Sequence, residues 1–599
     1  MSSRRPVAVS GARRRARGLT ALLVTTVVAA VVLAGCASIP TSGAVREGSG
    51  VRSDSRDLII RALARPPSPG MTDVQIVNGF LLASADFDGD HGVARQFLTT
   101  DAATSWNPAA QTVVYDESQA VDVVARTPGQ VAFSAHKLAV ITVQGDYQLA
   151  ARSSMTTAGF TLKKVAGQWR IATLPSILFV TQGDVDRAYR TFDVYFPDPT
   201  RSVLVPNQVL LPYGPGTSTA LVRSLLAGPT DWLKPAVRSA FPAGMKLVVD
   251  SAPIRPGGVV QVDLGGAQTQ AGTADLNTMS AQLAWTLRQL PDVTGQQITI
   301  DGAPIAAAGA GTIQPIQSWA TYDPDAFASG ARTFFVRSGR LVELLAGGAS
   351  KVAVVPGVLG DGRQPLRSPA LSTSSADVAG LDRAGAHLLV GHVSATDKAR
   401  TVLTGTSFTA PGWDRLDEVW TVDRSASGPV VWTVPLGKDP VRVTVRDLPA
   451  GRVLAFRVAS DGVRVAAVVE DTTGDGSLYL GRIERVNGHI AVAGFRPVDT
   501  RVSGTSTITD VQDVTWAAAD RFAVLGTSQN GTLEPSLVSL TGLAVQTLGP
   551  VDQAKLPIVS MATAPGRQVL VGTGDGNLWT FDGLGWALVG EGSDPTYAG

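Results

Sequence analysis

The sequence predicts a multidomain protein: an α+β domain, then a small α/β domain, then an all-β C-terminal propeller of about six blades. Three observations predict it. Apolar residues at helical spacing over 74–98 give way to alternating strands that run to residue 171. Strands and amphipathic helices then alternate as far as residue 302, the pattern of a layered α/β unit. From Ser318 onward helical periodicity nearly vanishes, and short β runs alternate with Gly, Asp and Ser turns. The 63 glycines and 36 prolines supply the turns that this architecture requires.

Ahead of these domains lies an export signal. Arg4, Arg5, Arg13, Arg14, Arg15 and Arg17 precede an uncharged run from Leu19 to Val32, and no acidic residue occurs before Glu47. The run suits a secretory apolar region and falls short of the ~20 residues of a membrane-spanning helix. It ends in Leu33-Ala34-Gly35-Cys36, which resembles the lipobox of bacterial lipoproteins. The resemblance implies cleavage before Cys36, with the sulfur of Cys36 taking a diacylglyceryl group and its freed amine an acyl chain. Small Ala34 and Gly35 admit the peptidase. Two or more chains make a stable anchor where one is marginal. Cys36 is the one cysteine of the sequence, so no intrachain disulfide is available. The expected location is the cell membrane, lipid-anchored and facing the extracytoplasmic side, with residues 1–35 as signal peptide. Residues 36–56, rich in Ser, Gly and charge, read as a flexible tether with a reach of about 25 Å.

Removing residues 1–35 takes away six of the 51 basic residues and none of the 50 acidic ones, which leaves a formal charge of about −5. That balance argues against a broad basic face, so no nucleic-acid partner is expected. The 42 arginines against 9 lysines fit a GC-rich genome.

Residues 57–182 form the first predicted domain. Thr72-Asp73-Val74-Gln75 is a capping box that opens a helix with Val74, Val77, Phe80 and Leu81 on one side. A second helix is expected with Val93, Ala94, Phe97 and Leu98 on one face. The acidic cluster from Asp86 to Asp90 between them lacks calcium-loop spacing, because His91 and Phe97 stand at its sixth and twelfth positions. Strands follow over 112–115, 121–125, 131–143 and 158–165, ending in Gly167-Gln168-Trp169-Arg170-Ile171. Helices followed by a curved antiparallel sheet of this kind resemble the NTF2-like cone. Such cones can host acid–base chemistry, but no buried carboxylate pairs with an oxyanion donor in the sequence, so a noncatalytic module is expected.

Residues 185–305 form the second domain. Strands over 192–196 and 203–211 precede a helix from Ser218 to Leu226, stopped by Gly228-Pro229. Strands over 246–249 and 259–263 follow. A long helix then places Leu276, Met279, Leu283, Leu287 and Leu290 on one stripe, and a final strand covers 297–301. The order of Leu225-Leu226-Ala227-Gly228-Pro229, Phe241-Pro242-Ala243-Gly244 and Ile298-Thr299-Ile300-Asp301-Gly302 resembles the GerMN domain of spore-germination and envelope lipoproteins.

Residues 315–595 form the predicted propeller. Strand pairs recur over 332–345, 387–403, 419–434, 463–483, 521–540 and 568–589, with turns such as Ser460-Asp461-Gly462 leading into them. At ~40–45 residues per blade this span yields about six blades, closed by pairing of the first and last strands.

Nothing in the sequence marks a catalytic, cofactor-binding or metal site, and no enzyme is predicted. The five histidines form no ligand pair, no nucleotide loop or nucleophile elbow occurs, and Asp471–Gly476 reads as a blade turn because Arg482 stands where a calcium ligand belongs. Trp413, Trp420, Trp432 and Trp516 read as blade core, with stacking on an envelope glycan as the alternative role.

Lipobox, tether, NTF2-like segment, GerMN segment and propeller, in this order, resemble the actinobacterial lipoprotein LpqB family across the mature chain. The resemblance implies an accessory regulator that binds the extracytoplasmic domain of a sensor histidine kinase, that of the Mtr two-component system. It would modulate signalling in cell-wall homeostasis and division. The implied partners are the cytoplasmic membrane, through the lipid, and this kinase. The alternative is an envelope glycan or small-ligand binding lipoprotein.

Overall fold

The computed structural model describes residues 64–598, apart from 87–89, 267–272, 308, 327–331, 346–350, 395, 397, 501–506 and 552–553. Leu33, Ala34, Gly35, Cys36 and the tether lie outside the described residues.

The first domain opens with helix α1 (Asp73–Ser84), set by the capping box. Thr72 Oγ1 accepts from Gln75 N at 3.2 Å, and Gln75 Oε1 accepts from Thr72 N at 2.9 Å. Ile76, Val77, Phe80 and Leu81 turn inward from it. The expected second helix is shorter than its apolar stripe: α2 covers only Gly92–Arg95. Phe97 O accepts from Ile171 N, and Thr99 N donates to Ile171 O, so a sheet edge takes the backbone before the helix can continue. Phe97 and Leu98 are buried all the same. A short helix α3 (Thr100–Ser105) follows.

A 13-residue strand, Gln130–Thr142, is the spine of the sheet that wraps these helices. It pairs antiparallel with 111–115, 122–127, 147–149 and 155–165. Leu178–Thr181, not expected from the sequence, adds a parallel partner to 111–115.

No loose linker separates the first domain from the second. Strand Leu178–Thr181 runs into α4 (Gln182–Ala188) and directly into a hairpin of Tyr189–Pro197 with Leu204–Pro212. Tyr189 and Leu210 of that hairpin lie in the first domain's core. Helix α5 (Thr217–Ala227) ends at Gly228, whose φ of +87° is open to glycine and costly for other residues. Helix α6 (Thr273–Leu287) links the parallel strands 259–265 and 295–300. Its stripe outlasts it, because Leu290 is buried in the turn that Pro291 enforces.

The propeller consists of six sheets around one axis. Each expected strand pair falls in a different blade. Blade 2 runs over 367–404, blade 3 over 412–442, blade 4 over 452–497, blade 5 over 508–547 and blade 6 over 558–591. Blade 1 takes three strands from 333–354 and its innermost strand, 593–597, from the C-terminal end. First and last strands thus pair within one blade and close the ring. Tyr597 fixes the closure: it is buried, and its hydroxyl donates to Gln568 O of blade 6 at 2.7 Å.

Replacing Tyr597 by Ala is expected to cost about 3 kcal/mol or more, and Tyr597→Phe about 1 kcal/mol. Urea unfolding of the full-length protein checks both. Equal midpoints for Tyr597→Ala and the native protein would show that closure does not depend on this residue.

Candidate functional site

The first domain's interior is filled with aromatic side chains. Phe133 lies 4.9 Å from Phe179 and 5.5 Å from Tyr115, while Phe80 lies 5.1 Å from Trp106 and 6.1 Å from Phe160. His91 packs edge-on against Trp106 with Nδ1 3.1 Å from Ser84 O, and burial pushes its imidazole pKa down. These ring contacts form the core of the first domain.

The other residues singled out in the sequence also have structural partners. His387 Nδ1 lies 2.9 Å from Asp382 at a blade turn, and His136 Nε2 lies 2.5 Å from Arg152 O. Asp471 closes the blade-4 turn by accepting from Thr473 N at 2.8 Å and Asp475 N at 3.2 Å. No group of three His, Cys, Asp or Glu residues among the described residues is arranged to hold a metal. Trp413, Trp420 and Trp516 are buried and donate to Ala370 O, Asp414 Oδ2 and Arg457 O at 3.0 Å each. They knit blades together, Trp413 and Trp516 also line the central channel, and Trp432 is partly buried against the core between blades 2 and 3.

Polar side chains line several cavities among the described residues, and two of these hold a carboxyl that burial shifts upward. One is the central channel of the propeller, about 810 Å³, lined by the inner strands of all six blades. Arg367, Arg424, Arg457, Asp513 and Asp594 reach it alongside apolar side chains such as Pro411, Leu454 and Met561. Arg457 and Asp513 face each other at 3.5 Å, and Arg457 Nη1 donates to Ala410 O at 2.8 Å. Burial raises the Asp513 carboxyl, and the Arg457 charge opposes that shift.

The second is the junction beneath blades 3 to 5. There Arg464 is fully buried and pairs with Asp461 at 2.7 Å through Nε, while its Nη1 and Nη2 find no hydrogen-bond partner. Asp193, from the hairpin of the second domain, lines a cavity of about 600 Å³ with Gln208, Gln289 and Asp520. Its Oδ1 is buried without a partner. Burial pushes its carboxyl from an ordinary 3.8 up to about 7, with Asp520 adding to the shift and Arg464 opposing it. Asp325, in the linker to the propeller, is raised to about 7 as well, by burial and then by Asp323. Its Oδ1 accepts from Ala519 N at 2.7 Å.

Contacts around this junction fasten the domains together. Arg496 pairs with Asp146 at 2.7 Å, Trp232 Nε1 donates to Gly494 O at 2.6 Å, and Thr541 N donates to Gln208 Oε1 at 3.1 Å. Arg415 reaches Asp198 at 3.3 Å, and Ser460 Oγ donates to Pro324 O at 2.9 Å. Local sequence patterns carried no sign of either cavity, because each is assembled from segments hundreds of residues apart.

Family models match three consecutive stretches. They are the lipoprotein LpqB N-terminal domain over residues 66–186, a sporulation and spore germination domain over 193–306, and the lipoprotein LpqB β-propeller domain over 339–598. Curated proteins named lipoprotein LpqB are similar along nearly the whole chain. That of Thermobifida fusca is 31% identical over 97% of this chain and 99% of its own length. That of Streptomyces coelicolor is 31% identical, covering 98% and 99%, and that of Mycobacterium bovis is 27% identical, covering 90% and 92%.

The junction carboxyls set a pH dependence. Asp193 and Asp325 hold protons more tightly in the folded state than in the unfolded chain. Their contribution to stability is therefore full below about pH 4 and is lost as pH rises through about 7. Asp193→Asn removes one of these groups. Its thermal midpoint is expected to match the native one at pH 4 and to exceed it by several degrees at pH 8. An unchanged difference between the two proteins across that range would refute the assignment.

Proposed function

The chain belongs to the lipoprotein LpqB family, and from that premise we propose that it is a membrane-anchored extracytoplasmic accessory protein of a sensor histidine kinase. In this reading Cys36, after the recognition residues Leu33, Ala34 and Gly35, carries the S-diacylglycerol and N-acyl groups. The folded part binds the extracytoplasmic domain of the kinase of the Mtr two-component system. It thereby modulates signalling in cell-wall homeostasis and division, and catalyses no reaction itself.

The observation that supports the reading is the fastening of the three domains into one body. Ion pairs and hydrogen bonds at Arg496, Trp232, Gln208 and Arg415 favour a docking platform over a hinged enzyme cleft. Anchoring adds to this, since a tether confines both partners to a thin layer and makes weak contacts effective. No described helix is long and apolar enough to cross a membrane.

A second reading, an envelope glycan or small-ligand binding lipoprotein, is favoured by the polar channel of the propeller. Retention on purified peptidoglycan or arabinogalactan supports it, and free passage over both counts against it.

The kinase reading is tested by placing full-length lipoprotein and full-length kinase in one bilayer and measuring autophosphorylation. The expected result is an at least twofold change in rate that Cys36→Ala abolishes at matched abundance. Neither binding nor a rate change in the bilayer would defeat it.

A further inference from the structure

Strand direction alternates within each blade, so the starts of all inner strands share one face of the propeller with the turns between second and third strands. Among the arginines of that face, three stand near the channel on neighbouring blades: Arg367 opening the inner strand of blade 2, Arg424 near the end of the second strand of blade 3, and Arg452 opening the inner strand of blade 4. Arg452 is matched by Glu470, with contacts of 2.7 and 3.0 Å. Arg367 and Arg424, which both line the channel, form no ion pair among the described residues.

Their hydrogen bonds leave part of each guanidinium unused. Arg367 donates from Nη1 to Arg383 O at 3.2 Å. Arg424 donates from Nε and Nη2 to Ser407 O, Ser407 Oγ and Phe408 O at 3.4, 3.0 and 3.1 Å. Arg424 is thus held in place with Nη1 free, and Arg367 keeps Nε and Nη2 free. Burial lowers the Arg424 pKa, and the charges of Arg452 and Arg367 lower it further, so like charges sit close on this rim and, among the described residues, only Arg452 of the three has a carboxylate partner.

The backbone beside Arg367 is strained. Ser368 and Asp594 sit side by side on the inner strands of blades 2 and 1 with φ of +45° and +49°, a region that costs non-glycine residues about 1 kcal/mol or more. Asp594 Oδ1 accepts from Ser368 N at 3.1 Å, and its Oδ2 accepts from Ser593 Oγ at 2.7 Å, so this carboxylate is engaged within the protein. At the opposite end of the channel the interdomain linker crosses, with Pro324 O bound by Ser460 Oγ and Asp325 by Ala519 N. Entry is from the arginine face.

We propose that this mouth binds a small oxyanion-bearing ligand, a sugar phosphate or a uronic acid in chemical class, with its anionic group between Arg367 and Arg424 and its body in the channel. Two guanidinium groups with free N–H donors suit the paired oxygens of a phosphoryl or carboxylate group. The bound anion relieves the repulsion on the rim. A cavity of about 810 Å³ with mixed polar and apolar walls accommodates a sugar-sized body. The site deepens the small-ligand reading and is independent of the kinase reading.

Isothermal titration of the full-length lipoprotein in detergent micelles, with glucose 6-phosphate, glucuronate and glucose as probes, tests it. At least one anionic probe is expected to bind one-to-one, more weakly as salt rises, while glucose does not bind. Arg367→Gln is the decisive variant, since Arg367 is exposed and supports a single carbonyl; it is expected to weaken binding about tenfold or more with an unchanged unfolding midpoint. Arg424→Lys keeps the charge, removes the fork and is expected to weaken binding as well. Binding of the phosphate probe alone assigns the phosphoryl class, and binding of glucuronate alone the carboxylate class. Anions that bind no better than glucose, or an Arg367→Gln variant that binds like the native protein, would overturn the site. Retention on peptidoglycan without anion binding would overturn it too, while leaving the polymer reading standing.

Discussion

Arg496 is where the three domains meet. It belongs to blade 4, its guanidinium pairs with Asp146 of the first domain at 2.7 Å, and it lies 4.2 Å above the Trp232 ring of the second. The side chains are only 20% and 4% exposed, so water offers little replacement for the pair. Removing one partner of a buried pair strands the other charge and costs about 3–5 kcal/mol. Trp232 adds a hydrogen bond to Gly494 O on the same strand and counts in the cores of both the second domain and the propeller. Val463, from a blade-4 turn, joins the second domain's core in return. The domains are therefore joined by shared core as well as by surface contact.

That junction gives the propeller two unlike faces. Around blades 3 to 5, the turns after the inner strands are taken up by the linker and the second domain, through Ser460, Ala519 and Arg415. The other face carries Arg367 and Arg424, which form no ion pair among the described residues. Ring closure by strand 593–597 makes this asymmetry durable, because a closed ring has no edge along which blades can slide apart. A propeller of this build commits one face to holding the domains together.

Much of this fold was legible locally. Thr72 and Gln75 form the capping box their spacing announces, and the six recurring strand pairs each mark a separate blade. Closure by the terminal strands also follows from repeat logic. What escaped is long-range. The apolar stripe of Phe97 and Leu98 reads as helix, yet Ile171, far along the chain, takes their backbone into a sheet edge. Strand 178–181 escaped because its partner is parallel and distant. Arg496 and Asp146 are 350 positions apart, and Arg367 and Arg424 come to one channel mouth only when blades 2 and 3 pack side by side. Trp413, Trp420 and Trp516, in contrast, are as buried as apolar strand residues should be, while Trp432 is only partly so. The candidate site is therefore a product of tertiary structure, whereas Cys36 is legible in sequence and lies outside the described residues.

The claim that the domains act as one body is tested most directly by scanning calorimetry of the full-length protein with Arg496→Ala, Asp146→Ala and the double variant. A single transition in the native protein is expected. Each single variant should lower or split it, and the double variant should fall short of the sum of the two losses by at least about 1 kcal/mol. Separate transitions in the native protein, with Arg496→Ala leaving each where it was, would contradict the account.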